Sequence, residues 1–544
     1  MTITVFAGPD PEANLNALIG RTPLRSGPFC AVSPDSRSVT ELERTLARSL
    51  GDAFLGSRVL TMEGLARSVA SLGGPVPEII GPHVRRALAG ELALKRIGAH
   101  SRFAGLAAYP GFIDLLVSWL EDSRCGDEIG TPDTELDRIA TAYDIHLKRL
   151  GLTDHEGLIT HALGSGCAGD FSRTVKGTFI IDGFYDLTVN QLRLLESIFT
   201  NVRRVAATLL YDSARPGLFG LPGRLLAWYK ELGARIVETE PRPLPGTDAI
   251  FLGFKGGKHA DNSDPSNVQV HTFRGEESEA DWVAGTIREN LAAGIWNPGE
   301  VMVVSRFRTG FGSPLHTALR RNGIPVEGGM PRPLAHHPVV RFALTAIDAS
   351  IHPNDEELAV AVRRSSYAVG FEPGEAAGEF DDRAWNCMVE VGSPWDFVLS
   401  VRKMLELLGV KDHLNGGGDP DAASLEVAAH TRFQEILDEF AALYTPFRRM
   451  MQAAEFSRLL GRFMRNVTLA DASSPGKGAL VTDVTRARQI SRPVVFFVGL
   501  DNTSFPAGMN GFSLHETGFA LKKRSHAELE EPLLFYASMQ GARH

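Results

Sequence analysis

The chain has 544 residues, of which 43% are apolar and 22% charged, and its formal net charge is −9. This length exceeds what one hydrophobic core usually organises, so several lobes of ordinary size are expected. The negative balance argues against a protein that coats nucleic acid over its whole surface. Any contact with nucleic acid must therefore be a local groove.

No targeting or metal-binding pattern stands out. The longest apolar runs, such as PVVFFVGL at 493–500, fall far short of the roughly 20 residues of a membrane helix, so no membrane contact is expected. The start, MTITVFAGPD, lacks the features of a secretory signal, which predicts a cytoplasmic protein. The four cysteines share no Cys-x-x-Cys spacing, so we expect neither a zinc site nor an iron–sulfur cluster in this chain.

The first part of the chain alternates strands and helices in the manner of a parallel sheet. Strands are predicted at TITVF, FCAVSP and RVLT, each followed by an amphipathic helix. Helical periodicity then continues to about residue 165, after which strands return with TFIID and VRRVAATLLY. These features indicate one α/β lobe interrupted by a helical insertion.

A segment rich in Gly, Pro, Asp and Asn, at 253–267, is the best candidate for a linker. After it the alternation restarts with VQVHTFR, EVMVVSR and, beyond a second helical region, ALVTDVT and PVVFFVGL. The predicted fold class is α/β, with two lobes built on parallel sheets, each interrupted by a helical insertion. The predicted divisions are a first lobe at 1–81 and 166–252, its insertion at 82–165, the linker at 253–267, a second lobe at 268–350 and 476–544, and its insertion at 351–475.

Asp182 follows the apolar strand TFII, where the end of a strand in an open α/β sheet faces a nucleotide. The next residue is Gly183, so no neighbouring carboxylate is available to orient an attacking water. Asp182 can equally be an acid that stabilises the turn by accepting bonds from nearby backbone N–H groups. The helix that follows is predicted to begin with a capping box formed by Thr188 and Gln191.

The turn after the first strand, GPDPEANL at 8–15, lacks most of a phosphate-binding loop. Such a loop needs glycines for its backbone N–H groups, then Lys for charge and Ser or Thr for magnesium. Those positions hold Ala13, Asn14 and Leu15. An ordinary strand-to-helix turn with Pro11 at the start of the helix explains the segment better.

Segment 301–345 is strongly basic and contains a single acid, Glu327. Such a cluster can bind backbone phosphates along a groove, or it can be a set of solvated helix-face arginines, and both explanations remain open. Its arginines are Arg306, Arg308, Arg320, Arg321, Arg332 and Arg341. In HEGLITH, the six-residue spacing of His155 and His161 misses the four-residue spacing of a helical metal site.

Several of these segments, in their order, resemble the AddB-type component of the AddAB/RexAB helicase–nuclease, a relative of the UvrD-type superfamily 1 helicases. IIDGFYDLTVNQ is similar to that family's Walker B segment, and the region around VVSRFR and NGIPV is similar to its motif IV. VTRARQISRPVVFFVGLDNTSFP resembles the motif V region, and ELEEPLLFYASMQGAR resembles motif VI. The resemblance implies that the two lobes are RecA-like, or P-loop NTPase-like.

The departures from the family all concern phosphoryl transfer. Asn14 stands at the Walker lysine, Gly183 at the general base and Gly541 at the motif VI arginine. Catalysis of this kind depends on positioning and on neutralising charge on the phosphate oxygens. Asp182 and Arg306 are then the residues of a vestigial nucleotide cleft. No cofactor is expected, and ATP with magnesium would be bound only if activity persists.

The resemblance also implies partners. A noncatalytic, DNA-binding scaffold subunit would act with an AddA-like helicase subunit on DNA ends or single-stranded DNA, with Arg306, Arg308, Arg320, Arg321 and Arg332 as candidate DNA contacts. The family's nuclease domain of the PD-(D/E)XK kind has no counterpart in this sequence, so we expect it to be encoded separately if the chain is a split or truncated product. Two alternatives remain, a residual ATP-dependent helicase and a protein-interaction subunit without DNA contact.

Overall fold

The structure of the protein is a computed structural model. It describes residues 1–51, 56–126, 134–175, 177–240, 268–306, 312–327, 332–369, 383–416, 420–448, 450–469, 478–488, 490–501, 517–540 and 542.

The strands of the described residues fall into two main sheets and three short pairs. In chain order they are β1 (Thr2–Gly8), β2 (Cys30–Ser33), β3 (Arg58–Thr61), β4 (Glu78–Ile79), β5 (Leu152–Thr153), β6 (Thr178–Ile181), β7 (Arg204–Leu210), β8 (Arg235–Glu238), β9 (Val301–Ser305), β10 (Val326–Glu327), β11 (Arg332–Pro333), β12 (Val391–Gly392), β13 (Met451–Gln452), β14 (Thr468–Leu469), β15 (Ala479–Asp483) and β16 (Val494–Val498).

The α-helices of the described residues are numbered in the same way. They are α1 (Pro11–Arg21), α2 (Ser36–Leu50), α3 (Met62–Ala70), α4 (Pro82–Arg96), α5 (Pro110–Arg124), α6 (Thr134–Leu150), α7 (His155–Gly164), α8 (Ala168–Thr174), α9 (Val189–Phe199), α10 (Gly220–Glu231), α11 (Glu276–Ala292), α12 (Gly312–Arg321), α13 (Pro338–Ile351), α14 (Glu356–Arg363), α15 (Pro394–Leu407), α16 (Val410–Asn415), α17 (Pro420–Tyr444), α18 (Ala453–Met464), α19 (Val484–Ala487) and α20 (Thr517–Gln540). None of them is long and apolar enough to cross a membrane.

The first sheet has six parallel strands in the order β3-β2-β6-β7-β1-β8. Its strands are apolar on both faces because helices cover both sides, as parallel sheets require. Phe6, Ala31 and Ile180 pack on α1 and α2, whereas Val5 and Phe179 pack on the opposite layer, which includes α3, α7 and α9. Since the strands run parallel, their carboxyl ends lie at one edge, and this edge holds the residues that follow β1, β6 and β7.

The second sheet has four described strands, also parallel, in the order β10-β15-β9-β16. Val301 and Val303 pack against α11 and α12 on one face. Met302 and Val304 pack on the other face against α19 and against Leu534 of α20. The chain is therefore a mixed α/β protein with two parallel sheets.

One predicted strand is wrong. The segment VQVHTFR at 268–274 forms no strand, and the side chain of Val270 is 88% exposed. Alternating apolar residues suit a half-buried strand only where a neighbouring strand and a core exist to receive them. Conversely, β8 was not predicted, although it pairs with β1 over Thr4 to Ala7.

The start of α9 confirms the predicted capping box. Thr188 Oγ1 accepts a bond from the Gln191 backbone N–H, and the Gln191 side chain accepts one from the Thr188 N–H. Of the stripe predicted on this helix, Leu195 and Phe199 are buried and Leu192 is half-buried.

The helices between the strands of the first sheet and those between the strands of the second share one hydrophobic core. The His83 ring on α4 meets the Phe463 ring on α18 edge to face, with centroids 5.0 Å apart. Arg448, just after α17, donates to Glu91 on α4 at 2.8 Å. The two helical regions, which the sequence predicts as separate insertions, thus pack together. The predicted division points of the chain stay predictions.

Helix α20 contacts residues of both sheets. Leu533 and Tyr536 pack with Leu218 and Phe219, which follow β7 of the first sheet. Leu534 packs with the residues of β9 and β15 in the second sheet. This helix therefore holds the two sheets together and closes one side of the space between them.

Candidate functional site

A cavity of about 540 Å³ lies between the two sheets. The first sheet contributes residues of α1 and α2 together with Asp182 and Gly183. The other side is formed by residues near 488–492 and by α20. The cavity thus lies at the carboxyl edge of the first sheet, where open α/β folds bind their ligands.

The N-terminus of α1 is bound by the protein's own carboxylate. Asp10 is 2% exposed, and its Oδ1 accepts from the backbone N–H groups of Glu12 at 2.9 Å and Ala13 at 3.2 Å. Pro11 occupies the first turn, as the sequence predicts, and supplies no N–H. A helix N-terminus attracts anions through such free N–H groups and its dipole. Here Asp10 already fills that role.

Asn14 is buried and bound on both ends of its amide. Its Nδ2 donates to the carbonyl oxygens of Gly8 and Leu209, each at 2.9 Å, and its Oδ1 accepts from the Thr239 hydroxyl. The amide therefore connects the ends of β1 and β7 with the residue after β8. It makes no bond into the cavity, although its side chain lines it.

Thr239 lies directly over the end of β1. A Cβ placed on Gly8 would meet Thr239 Oγ1 at 2.0 Å and the Thr239 carbonyl oxygen at 2.7 Å. Gly8 is therefore required because another part of the chain fills the space above it. A phosphate-binding loop, by contrast, uses its glycines to let backbone approach a ligand.

Asp182 is 8% exposed and lies at the carboxyl end of β6. Its Oδ1 accepts a 2.6 Å bond from the Thr208 hydroxyl on β7, and Thr208 accepts in turn from the Gly183 N–H at 3.2 Å. Burial raises the pKa of Asp182 to about 6, although the bond from Thr208 lowers it. The carboxylate is thus bound by a hydroxyl of the adjacent strand, whereas the sequence suggested nearby backbone N–H groups.

A magnesium–nucleotide complex fits these residues poorly. Magnesium is usually held by a carboxylate together with phosphate oxygens. Asp182 offers one carboxylate whose raised pKa reflects an unfavourable environment for negative charge, and Gly183 supplies no second one. Among the described residues, no group of three or more His, Cys, Asp or Glu could hold a metal ion.

Arg306 follows β9 and pairs with Glu531 on α20. The Arg306 Nε and Nη2 atoms donate to Glu531 Oε1 at 2.9 and 2.6 Å, and Nε also lies 3.1 Å from Oε2. The Glu531 side chain is only 5% exposed. A bidentate pair of this kind is strong and geometrically specific, so the guanidinium is already neutralised by protein.

The remaining candidate arginines lie away from this cavity's lining. Arg320 and Arg321 are exposed in the last turn of α12, and Arg332 is exposed in β11, which pairs with β14. Arg308 and Gly541 lie outside the described residues. His155 pairs with Glu63 at 3.1 Å, and His161 is exposed on the same helix, α7.

Sequence reasoning missed the contacts by which α20 closes the cavity. Glu530 accepts a 2.6 Å bond from the Tyr185 hydroxyl, and His526 Nε2 lies 2.6 Å from Asp186 Oδ2. The bond to Asp186 raises the pKa of His526. These pairs join residues about 340 positions apart, and the only available signal was the polar run that follows Asp182.

The fold and cleft define a mixed α/β protein with two parallel sheets. No family model matches the chain. Over 206 residues, or 32% of its length, the chain is 23% identical to the B-type subunit of the ATP-dependent helicase/deoxyribonuclease of Limosilactobacillus reuteri (strain DSM 20016). It matches the protein of the same description from Limosilactobacillus reuteri subsp. reuteri (strain JCM 1112) equally well. The matched region covers 16% of each relative.

Gly8→Ala tests the packing of Thr239 over β1. We expect it to lower the free energy of unfolding by about 1–3 kcal/mol, the usual cost of overpacking. The matched control is Gly20→Ala in α1, where nothing lies within 4 Å of the added Cβ and where Ala should stabilise the helix by about 0.5–1 kcal/mol. Urea unfolding measures both variants. Equal effects at the two positions would contradict the close packing.

Asp182→Asn tests the burial of the carboxylate. Because the folded protein binds this proton more tightly, stability should fall as the pH rises from about 4, the ordinary value, to about 6. Asn keeps an oxygen for the Thr208 hydroxyl and removes the charge, so the variant should be more stable by about 2–3 kcal/mol at pH 8.

Unfolding curves of both proteins between pH 4 and 8 supply the measurement. Asp281→Asn, at an exposed position of α11, controls for the loss of one carboxylate. If the curves of Asp182→Asn and the unaltered protein ran parallel over this whole range, the raised pKa would be wrong.

Proposed function

We propose that the chain is a noncatalytic, helicase-like scaffold subunit that acts on DNA ends in recombinational repair together with an active, AddA-like helicase subunit. On this proposal its two parallel sheets are the cores of two RecA-like lobes, and the cavity between them is a nucleotide cleft that has lost its chemistry. A separately encoded nuclease completes the assembly.

The observation that carries this proposal is the state of the phosphate-binding end of α1. Asp10 caps the helix with a negative charge, and Asn14 is bound to three other protein groups. A triphosphate placed there would meet a buried carboxylate instead of free N–H groups and a lysine. Repulsion between like charges in such a site costs several kcal/mol.

The loss of cationic help supports the same proposal. Phosphoryl transfer needs positive charge on the transferred phosphate, and Arg306 is paired with Glu531 across three contacts. Freeing this arginine would leave the buried Glu531 without that partner, which is costly. The similarity to helicase/deoxyribonuclease subunits supports the assignment to DNA end processing.

A residual ATPase is the second candidate. It is favoured by one observation, which is that Asp182 still faces a cavity of about 540 Å³. In that case Asp182 would hold magnesium, and a cation from outside the described cleft contacts would replace the missing lysine.

Thermal unfolding with and without Mg²⁺–ATP separates the two candidates. A nucleotide at a hundredfold excess over its Kd stabilises a protein by about 2.7 kcal/mol, and we expect no shift and no turnover for this chain. Asp182→Asn identifies the source of any ATP hydrolysis, because contaminating enzymes would be unaffected by it. Turnover by the unaltered chain that Asp182→Asn abolishes would overturn the scaffold proposal.

The DNA contact is tested at Arg320 and Arg321, which are exposed at the end of α12. If both bind phosphates, Arg320→Ala with Arg321→Ala should reduce the slope of log K against log salt by about 2. The same double change at Arg203 and Arg204, exposed at the start of β7, removes equal charge elsewhere and should leave the slope unchanged. A chain with no detectable affinity for DNA at low salt would instead be a protein-interaction subunit.

A further inference from the structure

Three segments free of acidic residues meet where the two helical regions join. The segments are 92–113, 145–153 and 440–454, and none of them contains Asp or Glu. They stand out because the whole chain has more acidic than basic residues, 65 against 56. Local charge therefore opposes the overall balance at this place.

Phe447 is the point of contact between the three segments. The ring of His146, near the end of α6, stacks on the Phe447 ring with centroids 4.7 Å apart. Lys95, in the last turn of α4, places Nζ 4.6 Å from the same ring centroid and donates to the Phe447 carbonyl oxygen at 3.2 Å. The ends of α4 and α6 are therefore held side by side.

This arrangement brings four cations together at the surface. Lys95, Arg96, Lys148 and Arg149 all have exposed side chains. Burial, together with the charges of Arg149, Lys95 and Arg96, lowers the pKa of His146. We call the surface formed by Lys95, Arg96, Lys148 and Arg149 the seam patch.

The nearest carboxylates along the chain are already bound by other arginines. Glu91, on α4, is buried and pairs with Arg448 at 2.8 Å. Asp144, on α6, accepts a hydrogen bond from Arg124. These pairs leave the positive charge of the seam patch facing solvent.

The ordinary explanation for each pair of cations is the helix dipole. Lys and Arg in the last turn of a helix are stabilised by about 0.3–1 kcal/mol. That effect explains Lys95 and Arg96 on α4 alone, or Lys148 and Arg149 on α6 alone. It does not explain why two such ends are packed together without a carboxylate between them, since like charges at short range repel.

We propose that the seam patch binds the phosphate backbone of DNA. A cluster of lysines and arginines on adjacent helix ends suits a regularly charged polyanion, which releases counterions when it is neutralised. Contacts of this kind fix the position of a nucleic acid without reading its sequence. The seam patch lies on the helical regions and is distinct from Arg320 and Arg321 on α12. The inference rests on the proposed DNA role but not on those two arginines.

Fluorescence anisotropy with a labelled blunt duplex and a labelled single strand, measured over a range of salt concentrations, tests the proposal. Lys148→Ala with Arg149→Ala should weaken binding about tenfold or more at low salt and reduce the salt slope by about 2. The two probes show whether duplex or single strand is bound. Unfolding curves should be unchanged, because both side chains are exposed.

The double Ala change at Arg203 and Arg204 is again the matched control. If the Lys148/Arg149 variant kept the affinity and salt slope of the unaltered protein while the Arg320/Arg321 variant lost them, the seam patch would be excluded and the DNA role kept. If no variant and no probe showed binding, both would fail. Unchanged DNA binding with weaker assembly on a helicase partner would make the seam patch a protein interface and overturn the proposal.

Discussion

Parallel strands that end at one edge leave a helix N-terminus and backbone carbonyl groups facing a cleft, and in this chain protein side chains bind them. Asp10 satisfies the start of α1, Asn14 satisfies the ends of β1 and β7, and Thr208 satisfies Asp182. Buried polar groups must find partners, since leaving one unpaired costs about 1–3 kcal/mol. The groups that a ligand would otherwise satisfy are therefore satisfied without one.

This internal satisfaction explains why the cleft is stable as it stands. A site that awaits a charged ligand keeps free donors and carries an energetic penalty until the ligand arrives. Here the penalty is confined to the burial of Asp182, whose pKa is raised to about 6. Arg306, the cation that follows β9, is neutralised by Glu531. The arrangement favours a folded structural core over a reactive one.

Local patterns in the sequence predicted the local features well. The alternation of strands and helices, the start of α1 at Pro11 and the capping box of Thr188 all depend on neighbours within a few residues. The partner of Arg306 is 225 residues away, and no periodicity or spacing predicts it. The segment 268–274 was wrongly predicted as a strand for a related reason, because its pattern cannot report whether a neighbouring strand is present to pair with it. The shared core of the helical regions likewise depends on packing between distant parts of the chain.

That shared core has a mechanical meaning. The helices that follow β3 and those that follow β10 and β11 belong to different sheets in chain order, yet they bury their side chains together. The sheets are thus joined at two separated places, once through α20 and once through the helical regions. A body fastened at two points behaves as a truss: turning one sheet against the other would require opening a hydrophobic core as well as breaking the contacts of α20. Such a frame can bear load while a motor elsewhere in an assembly moves against it.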